Sequence, residues 1–396
     1  MAGVPAPAAP RPAGLRPAPE SAEGGLWQVM DKAEQAARQS AEINHDTALN
    51  AYVSEIACKV AASHCADIRI YVFDRPFFNA TMAPNGYAEV WSGLLLRVSS
   101  EAELAFVLGH EAGHFLENHS IEAHNAHKAR SNVTLALSVG IAVAGAVAAT
   151  QSPTAQSAQS MIDATGNLID AIYLANIAAY FRFSRENETE ADHLGLKAAN
   201  AAGYPAEAGA DAWKAIIAEA AASDFERKRK REARLGIFDS HPLSRERVEA
   251  LTSQAKTLSP ANDPQGGARH RAAIRPHLSA WLRDDLRRRD FGESLFVIDR
   301  LARRGEDLGV VGFYRGEAYR LRRKEGDLAR AKAAYQAAAI HPDAPAALWR
   351  ELGDLHRRDG ESAQARLAYD AYLARVPTAE DAWLVQDALS SLNQGT

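Results

Sequence analysis

Apolar residues recur at helical spacing early in the chain: Val29, Ala33, Ala36 and Ala37, then Ile56, Val60 and Ala61. The stretch from about Leu26 to Ala62 therefore predicts two helices. The period then drops to two. Residues 68–73 (IRIYVF) alternate and are rich in branched and aromatic side chains, 83–86 (APNG) is a turn signal, and 87–91 (YAEVW) reads as a second strand. A small hairpin or meander is expected there. Helical spacing returns over 99–130, with an N-cap serine, an acidic first turn and Leu104, Val107, Leu108 and Phe115 on one side, which predicts one long helix. No charged residue lies between Arg130 and Asp163, and 133–149 is nearly all apolar. That run sits at the lower limit for spanning a bilayer, and its Ala and Gly content makes it weakly lipophilic, so a buried or membrane-leaning helix is preferred to a spanning one. A helix from about Met161 to Phe183 then leads into SRENETEADHLG at 184–195.

Residues 258–270 open on LSPANDPQGGA, a cluster of Pro, Gly, Asn and Asp that marks a linker and a domain boundary. Beyond it Gly292, Gly326 and Gly360 fall 34 residues apart, each followed by an acidic residue. In the last unit Trp349, Leu352, Gly353, Ala365, Tyr369 and Pro377 occupy the signature positions of a tetratricopeptide repeat. The middle unit offers Gly316, Tyr319, Ala331, Tyr335 and Ala338 with a three-residue insertion, and the first keeps Trp281 and Gly292. Small residues let paired helices approach, and aromatics fill the space to the next pair. The expected fold is mainly α (α+β). Residues 1–25 read as a disordered Pro/Ala-rich segment, 26–257 as a catalytic domain with a small β-sheet, and 271–396 as an α-helical repeat solenoid.

Composition adds limits. At 396 residues with 47% hydrophobic content the chain supports a core, and 45 basic against 50 acidic residues give a net charge of -5, no footprint for nucleic acid. The first 25 residues hold no apolar core of signal-peptide length. Cys58 and Cys65 either close a small disulfide loop, suited to an oxidising compartment, or lie as buried free thiols. No CxxC pattern suggests a cysteine-held metal or a redox site.

The chemistry sits on the long helix. His110-Glu111-Ala112-Gly113-His114 is HExxH, and i, i+4 spacing puts two imidazoles on one face, about a turn apart, where both reach one ion. Glu111, rotated about 100° from its neighbour, can face the attacking water without binding the metal. Catalytic zinc takes three protein ligands and keeps one position open. A third ligand is available in Glu188-Thr189-Glu190-Ala191-Asp192, where Glu188 and Asp192 share a helix face. Glu188 would complete a His₂Glu set, and Asp192 would hydrogen-bond the outer nitrogen of a ligand histidine. Glu186 and Glu190 are also four apart, so spacing leaves that pair open. His119, His124 and His127 are not read as ligands, because the metzincin pattern needs Gly and His where Glu117 and Ser120 stand; they read as the solvated end of the helix.

HExxH followed by Ser184-Arg185 and Glu188 through Asp192 resembles the HtpX and CAAX-prenyl-protease type of zinc metallopeptidase, whose pattern is HExxH, then SRxxE with an ExxxD tail. The resemblance extends to Asn79-Ala80, Gly86, Gly93-Leu94-Leu95, and His241-Pro242 with Arg245. It implies a gluzincin-type domain with one Zn²⁺ on His110, His114 and Glu188, and it favours Glu188 over its neighbours. It also places His241 near the metal, either stabilising the oxyanion or holding the enzyme latent, although a histidine before proline is also a common turn residue. Asn79 and Ala80 fall in the edge-strand region expected to bind substrate. With tetratricopeptide repeats behind it, the domain is similar to the periplasmic β-barrel assembly-enhancing proteases of bacteria.

These features lead to an expected metalloendopeptidase acting on unfolded or misassembled envelope proteins, with an extended substrate added beside the YAEVW strand. The repeats, whose Arg-rich stretches 283–290 and 320–326 suit acidic partners, would recruit substrate or partner proteins. Peripheral membrane contact and a periplasmic location are expected, with the cytoplasm as the alternative. Two other classes compete: a chaperone or adaptor with a structural or inactive zinc site, and an integral-membrane CAAX-type protease, which needs several long apolar spans.

Overall fold

The computed structural model describes residues 10–123, 183–229 and 243–394. The apolar run at 133–149, nearly all of the helix expected over 161–183, and His124, His127 and His241 lie outside the described residues. Among the described residues no helix is long and apolar enough to cross a membrane.

Both N-terminal helices form, each behind a capping side chain. Helix α1 spans Ala22–Ala37, where Ser21 accepts from the Gly24 N–H, and α2 spans Thr47–Ala61, where Asp46 accepts from Ala48 and Leu49. Cys58 and Cys65 are joined in a disulfide that ties the end of α2 to the 3₁₀ turn at Ala62–Asp67. The segment before α1 departs from the disordered reading from residue 10 onward. The Arg11 N–H donates to the Leu116 carbonyl (2.8 Å), and its guanidinium donates to Glu23 (2.9 Å) and Asn118 (2.7 Å) and lies over the rings of Trp27 and Phe115. The ion pair, hydrogen bonds and ring contacts of this one arginine hold the segment in place despite the Pro/Ala composition around it.

The sheet comprises β1 (Arg69–Phe73), β2 (Ala80–Met82) and β3 (Tyr87–Trp91) in the order β1-β3-β2. The APNG turn closes a hairpin, but its first arm is β2, antiparallel to β3 with Ala80 opposite Val90; β1 runs parallel to β3 with Arg69 opposite Tyr87. The expected pairing of 68–73 with 87–91 as a hairpin is thus corrected, and YAEVW is the central strand. β2 lies at the sheet edge. Gly86 serves the turn with φ +80, where a Cβ would come within 1.9 Å of the Asp67 carbonyl oxygen.

Helix α3 (Ser92–Arg97) leads into α4 (Glu101–Leu116), whose Ser100 hydroxyl accepts from the Glu103 N–H. The long helix expected over 99–130 is broken after Leu116 by a turn at 117–118; helix resumes over 119–123, and 124–130 lie outside the described residues. Asn118 turns into the left-handed region (φ 58), which asparagine tolerates better than most residues, while its side chain accepts from Arg11. Helices α5 (Arg185–Ala201) and α6 (Glu207–Ala222) pack against α4, α7 (Glu226–Arg229) follows on α6, and α8 (Arg245–Ala255) packs on α5 and α6; α5 opens with a capping box between Ser184 and Asn187.

The stretch expected to be a linker is partly helical. Helix α9 (Gly266–Ile274) starts inside it, and α10 (Leu278–Arg287) and α11 (Phe291–Ala302) follow. These helices share one core with the preceding domain: buried residues run without interruption from Leu49 and Leu94 through Trp213 and Leu282 to Ala368. At the junction buried Arg97 donates to Glu219 (2.8 Å) and Asp285 (2.6 Å), and Ser294 also donates to Asp285 (2.6 Å). Two similar helix pairs follow, α12 (Leu308–Arg322) with α13 (Asp327–Ala338) and α14 (Ala347–Arg358) with α15 (Ser362–Arg375), before α16 (Ala382–Gln394). In each pair a glycine faces a fully buried tyrosine. A Cβ on Gly316 would lie 2.2 Å from the Tyr335 ring, and one on Gly353 would lie 2.5 Å from Tyr369.

Candidate metal centre

Helices α4 and α5 cross at small residues. A Cβ on Gly195 would come within 2.6 Å of the His110 backbone nitrogen, one on Gly109 within 3.0 Å of the Gly195 carbonyl oxygen, and one on Gly113 within 3.2 Å of the Ala191 Cα. This backbone-to-backbone approach brings Glu188, one turn into α5, against the two histidines of α4.

His110 Nε2 and His114 Nε2 lie 3.1 Å apart, and each lies 3.6 Å from a carboxylate oxygen of Glu188. All three side chains are buried, and they form a group of His, Cys, Asp or Glu residues able to hold one metal ion. Four-coordinate zinc at about 2.0–2.1 Å from each ligand sets neighbouring donors about 3.3 Å apart. Two imidazoles and a carboxylate at these separations fit zinc in both donor type and spacing. Glu111 is buried on the same helix, directly after His110. Glu186 and Glu190, the competing pair, are exposed.

The three candidate ligands are backed by further polar residues. Nδ1 of His110 lies 3.0 Å from Asp192. Asp192 accepts from Trp213 Nε1 (3.1 Å) and from Arg247, through Nε (2.7 Å) and Nη2 (2.7 Å). The remaining Arg247 nitrogen, Nη1, donates to Glu188 at 2.6 Å. Burial pushes the Asp192 carboxyl up, but Arg247 and the hydrogen bonds more than offset it and hold it at about 2. The Trp213 ring stands edge-on to His110 and to Phe106.

His114 has a different support. Its Nδ1 lies 2.9 Å from Nδ1 of His119, whose Nε2 is 3.3 Å from Glu190, and Phe183 stacks on the His114 ring at 3.8 Å. The reading of His119 as a solvated helix end is corrected: the break at Asn118 turns it inward, and it is buried. Burial also holds its imidazole below the ordinary histidine value, against the pull of Glu190.

Three supporting residues escape a reading by motif. Arg247 carried a signal, since it stands third after the N-cap Ser244 and heads the buried stripe Val248, Leu251 and Ala255. His119 carried none until the helix break was known, and Trp213 was one apolar residue among many. Asn79 is half-buried just before β2, Ala80 is its first residue, and β2 packs against α4. His241 lies outside the described residues.

Residues 43–255 match Peptidase family M48. A beta-barrel assembly-enhancing protease named from Vibrio cholerae is 29% identical over 176 residues, covering 43% of this chain and 33% of its own length. The mitochondrial metalloendopeptidase OMA1 of Schizosaccharomyces pombe is 28% identical over 210 residues, covering 52% of each chain, and that of Arabidopsis thaliana is 30% identical over 146 residues, 36% of this chain and 25% of its own. The chain thus spans about half or less of the length of these relatives. Since the family match takes in more than half of the 396 residues and encloses the His–His–Glu cluster with Asp192, Trp213 and Arg247 behind it, the chain belongs to Peptidase family M48, a family of metalloproteases.

Proposed function

We propose that the chain is a zinc-dependent metalloendopeptidase that hydrolyses unfolded or misassembled proteins of the cell envelope. The observation that carries this reading is the convergence of His110, His114 and Glu188 at metal-ligand separations inside a buried crossing of two helices. Zinc held by them would supply a Lewis acid that polarises the scissile carbonyl and lowers the pKa of the attacking water. Glu111 takes the proton of the attacking water and returns it to the leaving amine. Asp192 fixes the proton of His110 on the nitrogen that faces away from the cluster. His241 supports the oxyanion or holds the resting enzyme latent.

An extended substrate adds to the sheet at an outer strand, and not at the central YAEVW strand; we place it on β2, the edge that packs against α4, where Asn79 and Ala80 meet it through main-chain bonds that carry little sequence preference. The paired helices from Leu308 to Arg375 act as tetratricopeptide repeats that recruit substrate or partner proteins; the matching Gly316–Tyr335 and Gly353–Tyr369 contacts support this reading. The names of the relatives, one an assembly-enhancing protease and the other a mitochondrial metalloendopeptidase, favour an envelope or membrane-peripheral setting. The Glu111→Gln protein should keep one zinc per chain while degrading an unfolded casein about 10²- to 10⁴-fold more slowly. Degradation at the wild-type rate would refute the peptidase reading and leave the chaperone or adaptor in its place.

A further inference from the structure

The two ligand histidines are held by different means. His110 turns its outer nitrogen to a buried carboxylate, Asp192, which Arg247 and Trp213 fix in turn. His114 turns its outer nitrogen to another imidazole. An imidazole that gives Nε2 to a metal carries its proton on Nδ1, so His114 donates across the 2.9 Å contact and His119 accepts on its own Nδ1. A neutral imidazole has one donor and one acceptor nitrogen, so the proton of His119 then sits on Nε2 and points at Glu190, 3.3 Å away. Each link fixes the next. Phe183 stacked on His114, and the 2% exposure of His119, leave the imidazole rather than solvent as the acceptor. Glu190 ends the chain at the surface, its side chain 55% exposed.

We infer that His119 is a positioning residue of the metal centre, setting the proton and ring plane of His114 and tying that ligand to the surface carboxylate Glu190. The inference rests on the reading of His110, His114 and Glu188 as a zinc site. It gives the centre two unequal supports, a buried ionic one behind His110 and a neutral relay behind His114 that reaches solvent.

The test is zinc affinity, measured by competition with a chelating dye on wild type, His119→Phe, His119→Asn and Glu190→Ala, with the melting temperature of each zinc-free protein taken alongside. Phe fills the space without an acceptor, whereas the Asn carbonyl oxygen takes the place of Nδ1. His119→Phe should weaken zinc binding about 10- to 100-fold while the zinc-free melting temperature stays near wild type, and His119→Asn should recover to within about threefold. Glu190→Ala should weaken binding by less than His119→Phe. If His119→Phe fails to fold, His119→Ala is read in the same way. A loss of under about threefold in His119→Phe, or His119→Asn binding no better than His119→Phe, would overturn the inference. Wild-type affinity in Glu190→Ala would remove Glu190 from the relay. A wild-type protein that takes up no zinc would bring down the metal-site reading itself, an outcome distinct from a zinc-binding wild type with unaffected variants.

Discussion

Arg247 joins Glu188 to Asp192 with three charge-assisted hydrogen bonds at 2.6–2.7 Å, all away from water. Its removal leaves two buried carboxylates without their counter-charge, a change that costs about 3–5 kcal/mol in buried pairs. Arg247→Met should therefore lower the melting temperature and weaken zinc binding together. Arg247→Lys should fall between the two, because one ammonium does not reach both carboxylates in the geometry of a planar guanidinium. Wild-type stability in Arg247→Met would show that the fork holds nothing. At this scale the sequence was legible where spacing alone fixes geometry. HExxH lies within one uninterrupted helix, so His110 and His114 share a face whatever surrounds them. His119 is five residues beyond His114, which on a continuous helix points it elsewhere; only the turn at Asn118 brings it back. Arg245, singled out beside His241, is exposed, and the buried arginine is Arg247.

The crossing of α4 and α5 shows what glycine contributes to an element. An alanine at position 195 gains up to about 1 kcal/mol of helix propensity. Its Cβ, however, would stand 2.6 Å from the His110 backbone nitrogen, in contact with main chain that has no rotamer to change, and overpacking of that kind costs about 1–3 kcal/mol. The clash wins, so Gly195→Ala should destabilise the protein, move Glu188 away from the histidines and lower the zinc content of the purified protein. Thermal unfolding and metal analysis check this, and a variant of equal or higher stability with full zinc would show that the close approach is not needed. Helices were foreseen better than strands for a physical reason. Strand β2 is three residues long, too short for alternation to register, yet it decides that YAEVW is central.

For the molecule as a whole, Pro, Gly and Asn at 258–268 mark a surface crossing and not a break between independent bodies, a distinction that local composition does not carry. The structure instead welds α9 to the metallopeptidase helices through His270, buried with Nε2 at 2.9 Å from the Leu95 carbonyl oxygen and Nδ1 at 3.0 Å from the Tyr52 hydroxyl. The first bond needs a proton on Nε2, and the second uses the Nδ1 lone pair for the Tyr52 O–H, so the neutral ring satisfies both. Burial depresses the imidazole to about 4, against the ordinary 6.5 that it recovers on unfolding. The sign follows from where the protons go. Above pH 6.5 the ring is neutral in both states and imposes no penalty; as pH falls below that value the unfolded chain takes up a proton that the folded chain refuses, and stability is lost until the folded ring titrates near 4. By pH 4.5 the loss should reach about 2–3 kcal/mol. Urea unfolding of wild type and His270→Gln, both stripped of metal, isolates the contribution. His270→Gln is expected to be less stable than wild type at pH 7.5, and the gap should narrow by that amount at pH 4.5. Parallel curves across this range would show that His270 does not couple the C-terminal helices to the metallopeptidase domain in its neutral form.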